Sequence, residues 1–191
     1  MKVVLAGGSG FLGRALTTAL VNRKHDVAIL TRHAAAARPS VRHVVWRPDT
    51  THKMGQVSQE WAYEIDGADA IVNLTGAGIA DRRWTNARKS ALRSSRILST
   101  RQLISAVRAA KHRPAVFIQG SAVGYYGTAG DEVFDEASPP GSDFLATLCR
   151  DWEAEGRHAE ALGCRVVIVR TGIVLARDGG ALKKMLLTFT A

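Results

Sequence analysis

Apolar positions fall into two alternating kinds of stretch: short runs that are apolar almost throughout, and longer ones in which they return every three or four residues. Lys2–Ala6 is a run of the first kind, and it ends in a cluster of glycines. Phe11–Asn22 follows with helical spacing, so the chain opens as strand, tight turn, helix. Further apolar runs predict strands over residues 27–31, 43–46, 70–74, 115–119 and 165–170. Helical spacing predicts a long helix over 85–110, with Leu92, Ile97, Leu103, Ile104 and Val107 on its packed side, and another over 144–162. Shorter helical pieces are expected near 59–65 and over 181–189. Residues 120–142 are rich in Gly, Ser, Pro and acidic side chains and read as a long loop, a feature that in compact domains usually carries function.

Short apolar strands alternating with helices imply a parallel sheet buried on both sides. The expected fold is α/β, a Rossmann-type doubly wound parallel sheet of about six strands with helices on both faces. At 191 residues the chain suits one domain, 1–191, and is short for two. Hydrophobic residues make up 46% and charged residues 23%, the balance of a folded protein and not of a disordered one. No run approaches the length of a membrane span, and the N-terminus enters its first strand without the basic region and apolar core of a secretory signal. A cytoplasmic location with no membrane partner is therefore expected. Cys149 and Cys164 lack metal-ligand spacing, which predicts free buried thiols and no metal site.

The formal net charge of +9 is the unusual global property. Ten Lys or Arg residues fall between Arg82 and Arg113 with no Asp or Glu among them. They are spread around the long helix and are not interleaved with aromatic side chains. The stretch reads first as a solvated helix with one or two arginines facing an anion, and a basic nucleic-acid-binding module ranks third among the functions the chain suggests.

The chemistry begins at the first turn, Leu5-Ala-Gly-Gly-Ser-Gly-Phe-Leu-Gly13. Gly8, Gly10 and Gly13 spell G-x-G-x-x-G, whereas Gly7, Gly10 and Gly13 spell G-x-x-G-x-x-G. In either register the glycines allow a tight turn, close approach of backbone to a pyrophosphate, and close packing of helix on strand. The context of strand before and helix after is the one a dinucleotide site requires. Beyond the second strand stands Thr31-Arg32-His33, where an NAD site would place an acidic acceptor for the ribose 2′-hydroxyl. The Arg32 guanidinium suits a 2′-phosphate instead, so NADP(H) is expected in preference to NAD(H).

Together these residues resemble the extended short-chain dehydrogenase/reductase family, whose glycine fingerprint takes the second register. Asn73-Leu-Thr-Gly76 looks like that family's N-x-A-G element, Thr100 like its helix threonine, and Gly120-Ser-Ala-Val-Gly-Tyr-Tyr-Gly127 like its serine-rich segment. Arg83-Trp84, Lys89, Ser95-Arg96, Asp143-Phe-Leu-Ala146 and Asp151-Trp-Glu153 are similar to an atypical branch labelled sugar-nucleotide epimerase-like, also called cell-division inhibitors. The resemblance implies a dinucleotide held by Gly7, Gly8, Ser9, Gly10, Phe11, Leu12, Gly13, Thr31, Arg32, Asn73, Leu74, Thr75, Gly76, Arg96 and Gly120. It also implies an unknown small-molecule substrate and a homodimer paired through the long helices.

The departures concern catalysis. The family's Tyr-x-x-x-Lys pair is absent: Tyr63, Tyr125 and Tyr126 are followed four positions later by Gly67, Ala129 and Gly130. The usual serine position falls on Ala122, with Ser121 one residue earlier, and the position of an active-site asparagine falls on Arg96. Ser121 and Tyr125 are the catalytic candidates that remain. Family members also continue into a C-terminal substrate-binding domain, which is expected to be absent or truncated here. An NADP-binding oxidoreductase or epimerase-like protein is the leading expectation, and a non-catalytic NADP(H) sensor the alternative.

Overall fold

In the computed structural model of the chain, residues 1–33, 40–48, 59–128, 130–176, 179, 180 and 182 are described. Five of the elements that shape the site follow the apolar runs closely: β1 Lys2–Ala6, α1 Phe11–Asn22, β2 Asp26–Thr31, β3 Val41–Val45 and β4 Ala70–Asn73. A single helical turn, α2, covers Gln59–Ala62 before β4. Then come α3 Asn86–Ala109, β5 Val116–Ala122, α4 Phe144–Arg157, β6 Arg165–Thr171 and the two-residue β7 Leu175–Ala176. The first six strands form one sheet in the order β3-β2-β1-β4-β5-β6, and every pairing is parallel. The expected Rossmann-type doubly wound sheet is therefore the observed one.

Alternation along β1 divides the core in two. Val4 and Ala6 join Ala28, Leu30, Ile71, Phe117 and the apolar side of α3, including Leu103, Ile104 and Val107. Val3 and Leu5 point the other way, with Val27, Ile29 and Val72, and meet Leu16, Leu20 and Val21 of α1. Burial on both faces explains why the strands read as continuous apolar runs without a polar alternation. Both long helices are capped by side chains: Thr85 Oγ1 accepts from the Arg88 N–H at 3.2 Å, and Asp143 Oδ1 from the Ala146 N–H at 2.8 Å.

Two boundaries near the site differ from the sequence expectation. The helix expected over 144–162 ends at Arg157; the N–H groups of His158 and Ala159 bond three residues back, and a separate 3-10 turn spans Glu160–Leu162 before Gly163 at φ +89°. The fifth strand runs on through Gly120-Ser-Ala122, because β6 supplies partners as far as Ala122↔Thr171. The segment expected to be loop from residue 120 thus begins three residues later, with a 3-10 turn over Val123–Tyr126. The helix expected over 181–189 lies almost wholly outside the described residues. Among the described residues, no helix is long and apolar enough to cross a membrane.

Candidate dinucleotide site

Strand order reverses between β1 and β4, and a doubly wound sheet opens its ligand crevice at such a point, beyond the carboxyl ends of the strands. The glycine turn lies there. Gly7 sits at φ +85°, and a Cβ on it would stand 2.8 Å from the Leu74 carbonyl oxygen. A Cβ on Gly13 would collide with the Gly7 carbonyl and stand 2.5 Å from Gly8 Cα. Gly7 and Gly13 are thus demanded by backbone proximity at both ends of the turn. Gly8 is constrained differently, by the Ile29 side chain 2.8 Å from where its Cβ would be. Of the two registers, the one through Gly7, Gly10 and Gly13 has its first glycine in the left-handed region, where other residues are strained.

At the start of α1 the first helical bond runs from the Arg14 N–H to the Gly10 carbonyl at 3.0 Å. The N–H groups of Phe11, Leu12 and Gly13 therefore begin the helix without an acceptor among the described residues. Gly10 supplies no side-chain cap, and the first turn holds no acidic residue. This is a helix end with its partial positive charge uncompensated, which suits an anion.

Thr31 ends β2 with 8% exposure, and its Oγ1 accepts from the His33 N–H at 3.4 Å. Arg32 is exposed just beyond it and makes no ion pair among the described residues.

On the other side of the reversal, Asn73 is fully buried and all its polar atoms are engaged. Its Nδ2 donates to Thr100 Oγ1 at 2.8 Å and to Gln119 Oε1 at 3.0 Å, while its Oδ1 accepts from the Thr75 N–H and hydroxyl at 3.2 and 2.6 Å. Thr100 also accepts from Trp152 Nε1 at 3.0 Å and donates to the Arg96 carbonyl at 2.8 Å. Thr75 is tied further to Ser99, 2.6 Å away. A Cβ on Gly120 would stand 2.8 Å from the Asn73 carbonyl. Asn73, Leu74, Thr75, Gly76 and Gly120 are thus brought together, with α3 and α4 holding the loop through Thr100 and Trp152.

Arg96 lies against this loop. Its Nη1 donates to the carbonyls of Ala77 and Leu92 at 3.2 and 3.1 Å, its guanidinium carbon is 5.1 Å from the Trp152 ring centroid, and a Cβ on Gly76 would be 2.8 Å from it. It pairs with no carboxylate among the described residues. Burial pushes its pKa below the ordinary arginine value; Cys149 acts the other way, and neighbouring Arg88 adds to the lowering. Its neighbours on α3 are spoken for differently, since Arg93 meets Asp151 at 2.5 Å and Arg101 meets Glu155 at 2.9 Å on α4. Part of the basic stretch is therefore inter-helix glue.

The catalytic candidates stand in another environment. Ser121 is inside β5 with 4% exposure, and its hydroxyl donates to Glu153 Oε1 at 2.6 Å. Arg170, its register partner on β6, grips the same carboxylate with Nε and Nη2, both at 2.9 Å. Arg170 Nη1 donates to the Tyr126 hydroxyl at 3.0 Å, and its guanidinium carbon lies 3.5 Å from the Tyr125 ring centroid. Tyr125 is held by its ring, and the two tyrosines meet edge to face with centroids 5.4 Å apart. Cys149 and Cys164 are both buried and free; burial pushes the Cys149 thiol up, with the Ala122 backbone, Ser121 and Arg96 opposing it.

The sequence reading missed Arg170, which sits among apolar residues of β6. A long basic side chain at the end of an otherwise apolar strand run was the available signal. Glu153 and Trp152 stand in the sequence only as parts of a motif, and their partners Ser121 and Thr100 come from the fold.

A parallel sheet of this order, with a glycine turn on its first crossover and a buried asparagine across the reversal, defines a Rossmann domain of the extended short-chain dehydrogenase/reductase type. The chain belongs to the NAD dependent epimerase/dehydratase family, whose sequence model matches residues 3–188. It is 43% identical over 183 residues to the epimerase family protein Mb2239 of Mycobacterium bovis, covering 96% of this chain and 57% of that one. Among solved structures it resembles the human epimerase family protein SDR39U1 (isoform 2), crystallised with NADPH. The TM-score is 0.79 at 34% identity, covering 99% of this chain and 59% of that one. It also resembles the nucleoside-diphosphate sugar epimerase from Corynebacterium glutamicum, with TM-score 0.78 at 35% identity over 100% of this chain and 38% of that one. The chain thus spans little more than half the length of the curated relatives it matches.

Proposed function

We propose that the chain binds NADP(H) in preference to NAD(H) and serves as an oxidoreductase or epimerase-like protein on a carbonyl or nucleotide-sugar substrate. The observation that carries this reading is the turn through Gly7, Gly10 and Gly13. Its backbone leaves no room for side chains at either end, and it leads into a helix start with three unaccepted N–H groups. Gly7 to Gly13, with Ser9, Phe11 and Leu12, would hold the pyrophosphate; Thr31 and Arg32 would hold the adenosine end, with the guanidinium on the 2′-phosphate. Asn73, Leu74, Thr75, Gly76 and Gly120 would border the rest of the dinucleotide. Arg96, a partly buried cation that pairs with no carboxylate among the described residues, would take an anionic group of cofactor or substrate. When bound, the nicotinamide supplies hydride transfer. The NADPH in the human relative supports the choice of cofactor. Calorimetric titration with NADPH and NADH is the test: tighter binding of NADPH is expected, and a chain that binds neither sinks the reading.

A second reading, a non-catalytic NADP(H) sensor, is favoured by one observation: the Ser121 hydroxyl is already committed to Glu153. Steady NADPH oxidation with a panel of carbonyl and nucleotide-sugar substrates, lost in Tyr125→Phe, would rule the sensor out.

A further inference from the structure

The carboxyl end of β2 has a neighbour whose chemistry matches its own. In the β2–β3 register Thr31 faces Val45, and the Trp46 N–H donates to the Thr31 carbonyl at 2.7 Å, so the two strands stay paired one residue past β3. Trp46 itself is fixed, with 3% exposure and its Nε1 donating to Gln102 Oε1 at 2.9 Å. Residue 47 therefore leaves the sheet from a held backbone, beside residue 32. Arg47 turns toward it, and its Nε donates to the Arg32 carbonyl at 3.4 Å. Both arginines are exposed, and neither makes an ion pair among the described residues.

We infer that Arg47 is a second determinant of cofactor choice, sharing the 2′-phosphate with Arg32. Arg47 thus brings a second cation to the backbone of Arg32, where an anion would be attracted by both side chains. A phosphate monoester carries close to two negative charges and offers three oxygens, enough for two guanidinium forks. The long bond to the Arg32 carbonyl is weak enough to be exchanged for a charge-assisted one. A ribose 2′-hydroxyl carries no charge to hold either fork, so the pair discriminates against NAD(H). The inference rests on the NADP(H) reading and adds a residue to it from a different strand.

The test titrates the full chain, Arg47→Ala and Arg47→Lys with NADPH and NADH, and with 2′,5′-ADP and 5′-AMP as probes that differ by the one phosphate. Arg47→Ala is expected to weaken NADPH and 2′,5′-ADP about tenfold, the worth of a charge-assisted bond, while NADH and 5′-AMP stay unchanged. Arg47→Lys, which keeps the charge, recovers part of the loss. If the wild type prefers NADPH and Arg47→Ala keeps that preference in full, or loses NADPH and NADH alike, this inference fails alone. If the wild type shows no preference, the cofactor reading fails and takes the inference with it.

Discussion

The two halves of the sheet's carboxyl edge treat their polar groups in opposite ways. At the ends of β1 and β2, helix N–H groups lack acceptors, and Arg32 and Arg47 lack carboxylates among the described residues. At β5 and β6, Ser121, Glu153, Arg170 and Tyr126 engage one another, and the Tyr125 ring is covered by Arg170. A folded chain tolerates exposed, uncompensated cations where water or a ligand answers them, whereas a buried charge must be answered by the protein itself. The first half is accordingly built to receive an anion, and the second is built to stay as it is. Ser121 and Tyr125, the catalytic candidates of the sequence, both lie in the second half, within a network that stabilises.

This contrast predicts different failures. Glu153→Gln should have the largest effect on stability, about 3 kcal/mol, because it leaves Arg170 without its charge partner at 13% side-chain exposure. Chemical denaturation would measure it, and a loss below about 1 kcal/mol would put the pair in the solvent-screened class. Gly13→Ala should cost less in folding, about 2 kcal/mol, since a methyl there must displace the Gly7 and Gly8 backbone. It should nonetheless abolish NADPH binding, which Glu153→Gln should spare; the reverse pattern would erase the division between the halves.

The smallest effect belongs to the opposite edge of the sheet, where Glu64 meets Arg42 Nη2 at 3.0 Å and Lys2 Nζ at 3.4 Å. Burial pushes the Glu64 carboxyl up, but Arg42 and Lys2 outweigh it and hold the pKa below the usual value. A carboxyl depressed on folding contributes stability above its unfolded pKa, and that contribution is lost as pH falls through the folded one. Glu64→Gln should therefore cost a small, constant amount of stability at neutral pH and flatten the acid limb below about pH 4.3, where the variant and the wild type converge. Melting temperatures across that range would show it, and unchanged steepness would contradict it.

What could be read from the sequence follows from the same physics. Strands buried on both sides write themselves as apolar runs, so β1 and α1 are found to the residue, and the glycine turn is legible because only glycine fits it. The end of β5 was hidden because Gly120-Ser-Ala122 looks like loop; its extension is set by pairing with β6, whose partner residues stand 49 positions further along the chain. The break after Arg157 was invisible for a similar reason, since the change to bonds three residues back leaves the apolar spacing of 144–162 intact. Of the site, backbone-defined positions such as Gly7 and Gly13 were legible. Pairings that depend on opposite ends of the fold, Ser121 with Glu153 and Arg47 with Arg32, were not.

The amide of Asn73 has no spare capacity: both donors and its oxygen are committed, to Thr100 on α3, Gln119 on β5 and Thr75 in the loop. The consequence is mechanical. A helix, a strand and a loop that meet the crevice from three directions are clamped to one planar group that cannot turn without releasing one of them. Pressure on the outside of α3 and a ligand settling on the loop would therefore act on the same joint.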